Sequence, residues 1–420
     1  MNTYIILTTI IFIIILFSAK RINFIIIFFL SSIIYYMNAF IGKLYLNNGE
    51  SWYYINENTY IVLIVNLLAI FFAYFLSEVF NKNIKFKQED AYIFEKEFAQ
   101  VVTLISIIGI ISIIVSLKDF IFSNNYNKTI IMDNTNKIQE YYKMFTMFWA
   151  IYVFTNKNTK YKAYVYIVAT MGLALTFLLG HRSFCVITVI AIIFDYFHRN
   201  IAKNETLWKF IAKHRKIIIE IILLIFFVFT IKGVYTAAFN RDYKLVWERL
   251  TNISYYTKTI RISEPNAILK NLNTIVKNDY RVNKNTYLTA LKYIIPGLTK
   301  LDGNISFTVI YQEDLYSTTN NASTILGEAY ANGGIILVAV ISILICLVLM
   351  LIYNYYCKCG NQIVKTFLLL SGIDISFYIH RNSMDYVICR IRYFAYFLIL
   401  LVFIKILLNS FSKKEKKVEK

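Results

Sequence analysis

Apolar residues fill this chain in long blocks separated by short polar links, and most blocks can cross or nearly cross a ~30 Å hydrocarbon core as helices. They lie near Tyr4–Ser18, Asn23–Ile41, Thr59–Phe80, Gln100–Leu117, Tyr142–Thr155, Ala163–Gly180, Ser183–Phe197, Ile217–Tyr235, Gly334–Tyr356, Val364–Tyr378 and Ile388–Leu408. The pattern predicts an all-α, polytopic transmembrane helical bundle of about 11 spans. The rhythm breaks once, between Tyr235 and Gly334, where the chain turns mostly polar. Four segments follow: transmembrane helices over 1–235 (about eight spans), a large loop over 236–332, about three further spans over 333–408, and a basic tail over 409–420. A bundle of apolar helices has no means of handling a water-soluble group, so the loop and the helix ends beside it are where chemistry is expected.

Within the loop, Tyr243, Val246, Trp247, Leu250 and Ile253 recur at helical spacing, which predicts a surface helix over Asn240–Tyr256. Pro265 falls in a polar break, and Asn266–Val276 resumes a helical pattern. Asn283 or Asn285 is placed to cap a helix running through Leu291 and Ile295 and stopped by Pro296-Gly297. Gly303–Ser323 reads as polar and turn-like, and no internal repeat or strand-rich soluble domain is visible.

Composition agrees with the membrane reading: 58% of the 420 residues are hydrophobic, only 16% are charged, and mean hydropathy is +0.54. The net charge of +19 does not point to nucleic acid, because the basic residues sit mostly in short links between spans. Lys20/Arg21, Lys157/Lys160/Lys162, Arg199–Lys216 and Lys413–Lys420 fall on one side in an eleven-span count. The positive-inside rule then puts the C-terminus in the cytoplasm, the N-terminus outside and the large loop on the outer face. Long loops translocate largely regardless of charge, so the loop's own Lys and Arg do not oppose this. Of the five cysteines, Cys185, Cys346, Cys357, Cys359 and Cys389, none lies in the loop. They read as free thiols, with neither a disulfide framework nor a metal site. The first block lacks a positive leader and a small-residue cleavage site, so it reads as a span.

Candidate chemistry gathers at expected outer helix starts. In Gly180-His181-Arg182-Ser183, Arg182 opens a helix whose N-terminus already carries partial positive charge, an arrangement suited to anion capture; the bland alternative is lipid-headgroup contact. His380, Arg381, Asp385, Arg390 and Arg392 surround the last span, with Arg390 and Arg392 expected in its first turn. Pairing with Asp385 or Asp374 is the structural alternative there. Glu328 precedes Gly333-Gly334, expected at the start of the ninth span, and could equally be an interfacial acid at a cap. Asp374 inside a span costs about 2.5–3.5 kcal/mol in lipid and is expected to face protein or water, partnered with an arginine. Arg241, Arg249, Arg261 and Arg281 add cations from the loop. Together these describe a site for a diphosphate, whose oxygens suit guanidinium forks. No Asp-x-Asp motif, Gly-x-Ser-x-Gly elbow or Walker loop accompanies them.

The layout over nearly the whole chain, the Gly180-His181-Arg182-Ser183 turn, and Gly327-Glu328-Ala329-Tyr330-Ala331-Asn332-Gly333-Gly334 after the loop resemble the Wzy-type polymerases of O-antigen and capsule repeat units. The last stretch is similar to their Gly-Glu-x-Tyr-x-Asn-x-Gly pattern, whereas an Arg-x10-Gly pattern described for some members is not found. The resemblance implies a GT-C-like membrane glycosyltransferase of the bacterial cytoplasmic membrane, with one large extracytoplasmic loop. It would pass a growing glycan from undecaprenyl diphosphate to a new undecaprenyl-diphosphate-linked oligosaccharide, with no cofactor or metal. Membrane lipid and a chain-length regulator are the partners implied. On that reading Arg182 contacts the diphosphate, Arg241, Arg281, Arg390 and Arg392 assist, and Glu328 or His181 serves the acceptor. A ligase moving finished glycan, a flippase or transporter, and a scaffold are the competing readings. Against a transporter, no matching halves are seen and Asp374 is nearly alone at its depth.

Overall fold

The computed structural model describes residues 1–46, 49–81, 95–121, 137–156, 160–201, 206–216, 219–220, 234, 237–238, 240–261, 263–295, 306–314 and 323–418. The opening helices are α1 (Asn2–Ser18), α2 (Phe24–Tyr35) and the single turn α3 (Asn38–Ile41). An antiparallel hairpin follows, β1 (Lys43–Leu46) with β2 (Ser51–Tyr54), pairing Leu44 with Tyr53. Next come α4 (Glu57–Asn81), α5 (Glu95–Ile121), α6 (Lys137–Thr155), α7 (Ala163–Leu178), α8 (Arg182–Asn200) and α9 (Leu207–Lys213). The large loop supplies α10 (Tyr243–Thr251), α11 (Ile253–Arg261), α12 (Glu264–Lys277), α13 (Thr286–Ala290) and α14 (Phe307–Asp314). The chain ends with α15 (Ile325–Lys358), α16 (Gln362–Tyr378) and α17 (Met384–Val418).

Among the described residues, six helices are long and apolar enough to cross a membrane: those at Glu57–Phe80, Glu95–Leu117, Arg182–Asn200, Ile325–Lys358, Gln362–Arg381 and Met384–Ser410. Shorter apolar helices are α1, α2 and α7. The block expected over 217–235 falls almost wholly outside the described residues. The second expected span, Asn23–Ile41, is divided: α2 ends at Tyr35 and α3 starts at Asn38, because Asn38 is buried and its side chain is turned to Asn266 in the loop.

The helices surround α16, whose apolar window is 78% buried against 28% for α15 and 22% for α17. α16 packs on α2, α6, α8, α15 and α17, which leaves its Asp374 among protein side chains and away from lipid. Small and polar residues weld the neighbouring helices, as expected where lipid offers no hydrophobic driving force between them. Asn66 of α4 donates to Ser32 of α2 at 3.3 Å and accepts from Ser342 of α15 at 2.9 Å.

The bundle has two chemically distinct ends. At one, α1, α6, α8, α15 and α17 finish, and α2, α5 and α16 begin. Arg199 there donates to the Thr155 carbonyl at 2.8 Å, Gln362 reaches Thr155 Oγ1 at 3.1 Å, and Lys405 pairs with the buried Glu95 at 2.8 Å. Asp195 accepts from Tyr356 at 2.6 Å on the same side, and Leu207 N–H bonds the Ala19 carbonyl. Lys20, Arg21, Lys209, Lys213, Lys358 and Lys365 flank these helix ends, making this the basic end.

At the other end, α8, α15 and α17 begin, and the loop helices sit. α12 is built into that end between α2, α3, β1, α4 and α15. Its Asn266 bonds both the N–H and C=O of Tyr45, at 2.9 and 3.0 Å, while Asn273 accepts from Asn56 N–H and Thr59. Pro265, expected in a polar break, stands in the first turn of α12, where its missing N–H costs nothing. The expected surface helix is two helices, α10 and α11, parted at Asn252, whose side chain accepts from Ser254 N–H. Asn285 caps α13 as expected, and a 3-10 turn over Leu291–Ile294 continues it; Pro296-Gly297 lie outside the described residues. Part of the stretch expected to be turn-like folds as α14, because Phe307 and Tyr311 bury against the bundle; 303–305 and 315–322 lie outside the described residues.

Candidate functional site at the helix starts

The connection from α7 to α8 is set by Gly180. Its φ of +86° is the left-handed conformation that ends helices. Gly180 N–H bonds Phe177 O at 2.9 Å and His181 N–H bonds Thr176 O at 3.2 Å, the paired closure of a Schellman motif. The chain therefore turns within two residues, and Arg182 is the first residue of α8, as the sequence predicts. His181 and Arg182 are both half-buried. The His181 ring stacks on Phe184, and its Nε2 lies 2.9 Å from Lys143 Nζ of α6. With the ammonium donating, Nε2 accepts. Lys143 is 1% exposed and sits inside an expected span, so the apolar pattern concealed it. Lys143 and the imidazole thus meet at the start of α8, with Arg182 next in the chain, where the macrodipole of α8 adds positive potential, a place suited to an anion.

Arg390 also stands over the Phe184 ring, 4.6 Å from its centre. It lies in the second turn of α17, because that helix starts at Met384, ahead of the apolar block. Its Nε lies 2.9 Å from Asp374 Oδ2, its Nη2 also bonds that carboxylate, and both residues are 1% exposed. The arginine partner expected for Asp374 is therefore Arg390, and this guanidinium is turned into the bundle. Arg392, likewise beyond the first turn, donates to the Tyr293 carbonyl in the 3-10 turn. Arg381 pairs with Glu264 at the start of α12 and stands over Tyr378. His380 is buried, stacked on Phe28, with Nε2 at 3.1 Å from the Phe28 carbonyl.

Glu328 occupies the first turn of α15. The glycine pair expected at the helix start lies further along, as a kink with non-helical backbone at Gly333 and Gly334. Helical hydrogen bonding begins eight residues earlier because Thr324 caps the helix, accepting from Leu326 N–H. Each polar position of the motif then has a contact. Glu328 Oε1 accepts from the Thr286 hydroxyl at 2.6 Å, and Oε2 accepts from Met384 N–H at 2.8 Å. Asn332, one turn on, donates to Thr286 Oγ1 and accepts from Thr286 N–H. Tyr330 donates to Asp279 at 2.9 Å. Gly334 (φ +68°) leaves room for Arg281: a Cβ there would stand 3.1 Å from Arg281 Nη1. Arg281 itself donates to the Tyr330 carbonyl and to Asp279.

Glu328 is 0% exposed, yet no basic side chain lies within ion-pair distance of it among the described residues. Beside it, the Tyr287 hydroxyl and Asp385 Oδ1 are buried without a hydrogen-bond partner among the described residues. Burial, with the nearby Glu328 charge next, holds the Tyr287 phenol well above its ordinary range, so it remains a donor at all physiological pH. Among the described residues no group of three or more His, Cys, Asp or Glu is placed to hold a metal ion.

Of the seven residues assigned roles from the sequence, His181 and Arg182 follow one another at the start of α8, and both His181 and Arg390 come to the Phe184 ring. Glu328 stands in the first turn of α15, Arg281 reaches the same helix from the loop through the Tyr330 carbonyl, and Arg392 bonds the 3-10 turn that follows α13. Arg241 stays exposed in the turn before α10, at φ 55°, with no described contact to the others. Lys143, Thr286 and Tyr287 were not legible as site residues, since only tertiary contact brings them in.

A family model described as O-antigen polysaccharide polymerase Wzy matches residues 1–242, more than half of the chain. The chain belongs to that family. The matched region includes Lys143, His181, Arg182 and Arg241 and stops before Arg281, Glu328 and α17. No curated protein and no solved structure matches. This Wzy-family chain is thus a multi-pass membrane protein of a polysaccharide polymerase family whose members act on lipid-linked oligosaccharide repeat units.

Proposed function

We propose that the chain extends a glycan on the outer face of the bacterial cytoplasmic membrane, moving it from undecaprenyl diphosphate onto a hydroxyl of a new lipid-linked repeat unit. The charge at the two ends supports the orientation. Lys and Arg crowd the links at the basic end, which the positive-inside rule makes cytoplasmic, and the loop helices then face out. This leaves the N-terminus outside and the C-terminus in the cytoplasm.

The glycosidic bond from sugar C1 to the phosphate oxygen breaks with its electron pair leaving on the diphosphate. A new bond forms from the acceptor oxygen to C1, and the acceptor proton must go to a base. Lys143 and Arg182, at the positive end of α8, are the groups we assign to the departing diphosphate. Fixed cations in a water-poor site stabilise such charge strongly because they need no reorganisation. His181, on the same side, would bond a phosphate oxygen. Glu328 is assigned to the acceptor. The Thr286 hydroxyl already donates to it at 2.6 Å, the contact a sugar hydroxyl makes when surrendering a proton. Tyr287 and Asp385 would satisfy their open positions with further sugar hydroxyls. Arg281 holds the α15 kink and so fixes the turn that carries Glu328.

The observation that carries this reading is Glu328 itself, a fully buried carboxylate with donors on both oxygens and no counter-cation among the described residues. Glu328→Gln keeps the size and one acceptor oxygen while removing basicity. Expressed in cells deleted for the native protein, it should insert at normal levels and leave single repeat units where wild type makes long glycan ladders. Full ladders from this variant would dismiss Glu328 as the base.

A further inference from the structure

We propose that α10 and α11 lie in the headgroup layer of the membrane, at the rim of the site end, and bind anionic phospholipid. On α10, Tyr243, Val246, Trp247 and Leu250 fall on one stripe about 100° wide at 100° per residue. No residue of α10 is buried. Tyr243 is 71% exposed, Trp247 69% and Ile253, which opens α11, 79%. Such a stripe facing water would be a standing cost, and the large side chains of Tyr243, Trp247 and Ile253 stand mostly uncovered by the described residues.

Charge and chain position say what covers it. Arg241, Lys244, Arg249, Lys258 and Arg261 outnumber Asp242 and Glu248 in the same twenty-one residues, a net +3. An amphipathic helix with Trp and Tyr on its apolar stripe and Lys or Arg beside it matches the boundary between acyl chains and anionic headgroups. In the sequence α10 follows the apolar segment 217–235 after a few residues, an order suited to a helix beside a membrane surface. Its far end is tied to the same rim: Arg261 stands over the Tyr45 ring at 5.5 Å, and Glu264, opening the next helix, pairs with Arg381. The pair is therefore tied at its far end to the rim of the site end. This placement stands apart from the assignment of the reaction.

The test uses the full chain in nanodiscs of phosphatidylethanolamine and phosphatidylglycerol whose acyl chains carry bromines near the headgroups. Trp247→Phe removes one indole from an unburied helix, so the difference between wild type and variant isolates Trp247 emission. Bromolipid should quench that component about two-fold or more, as for an indole at the headgroup boundary, while aqueous acrylamide leaves it nearly unchanged. A component untouched by bromine overturns the proposal, whether acrylamide reaches it (a solvated helix) or neither quencher does (a face covered by protein or by a second copy). The Lys244→Glu/Lys258→Glu double variant should weaken the bromine quenching, and quenching equal to wild type would overturn the anionic-lipid assignment.

Discussion

Asp374 and Arg390 form the most deeply enclosed ion pair at the site end, and removing one partner tests whether Arg390 is structural or touches substrate. Both are 1% exposed, and the guanidinium meets the carboxylate through Nε and Nη2 while standing between the Phe184, Tyr378 and Phe394 rings. Asp374→Leu leaves a buried cation with no carboxylate. Breaking a buried pair in this way costs about 3–5 kcal/mol, whereas replacing both members by apolar residues is often neutral or stabilising by 1–4 kcal/mol. A loss of 3 kcal/mol is about two powers of ten in the ratio of folded to unfolded protein. Asp374→Leu and Arg390→Met should each lower the unfolding midpoint of detergent-purified protein steeply, and the double variant should recover it. Glycan ladders should return with the double variant, since we assign the diphosphate to Lys143 and Arg182. A single variant as stable as wild type would refute the buried-pair argument, and a stable double variant without ladders would put Arg390 on the substrate.

Lys143→Met keeps an unbranched side chain of helical preference in α6, yet should reduce ladder formation on the order of 10²-fold, the usual effect of losing one fixed donor to developing charge. Membranes of equal protein content, assayed by gel for polymer per unit time, check it; undiminished polymer would remove Lys143 from the site. Gly334→Ala places a side chain at φ +68°, ψ −157°, a region open essentially to glycine alone, and against Arg281. It should cost about 1–3 kcal/mol, read as a lower midpoint in a thermal scan; no change would mean that the kink tolerates a Cβ.

Most of the bundle could be read from the chain because lipid imposes one rule on every exposed position. The blocks at Thr59–Phe80 and Ala163–Gly180 appear within a few residues of where they were expected, as α4 and α7. Boundaries failed where a local signal was outvoted by contacts. Gly333-Gly334 looks like the start of a helix, yet Thr324 caps the chain nine residues before Gly333, and Val282 N–H bonding the Ala331 carbonyl fastens that first stretch to the loop. α17 starts at Met384 and not at Ile388, because Glu328 accepts the Met384 N–H, and that moved Arg390 out of the first turn. Arg182 was legible because its cause is local: a glycine and two hydrogen bonds fix where α8 begins. Glu328 and Asp374 were legible as carboxylates out of place, and an arginine partner for Asp374 followed from the cost of burial. Lys143 was not, since a lone lysine in an apolar block carries no mark of the imidazole it meets thirty-eight residues on. Thr286 is one threonine among many until Asn332 and Glu328 close around it.

The two oxygens of Glu328 are held by partners on either side of it in sequence, forty-two residues before and fifty-six after. A nascent chain that has inserted α15 therefore carries a carboxylate short of one donor until the ribosome has delivered Met384 and the last helix has docked. Maturation of this site is then a late step of biogenesis, and a polypeptide stalled before α17 would leave the buried Glu328 with only one of its two donors.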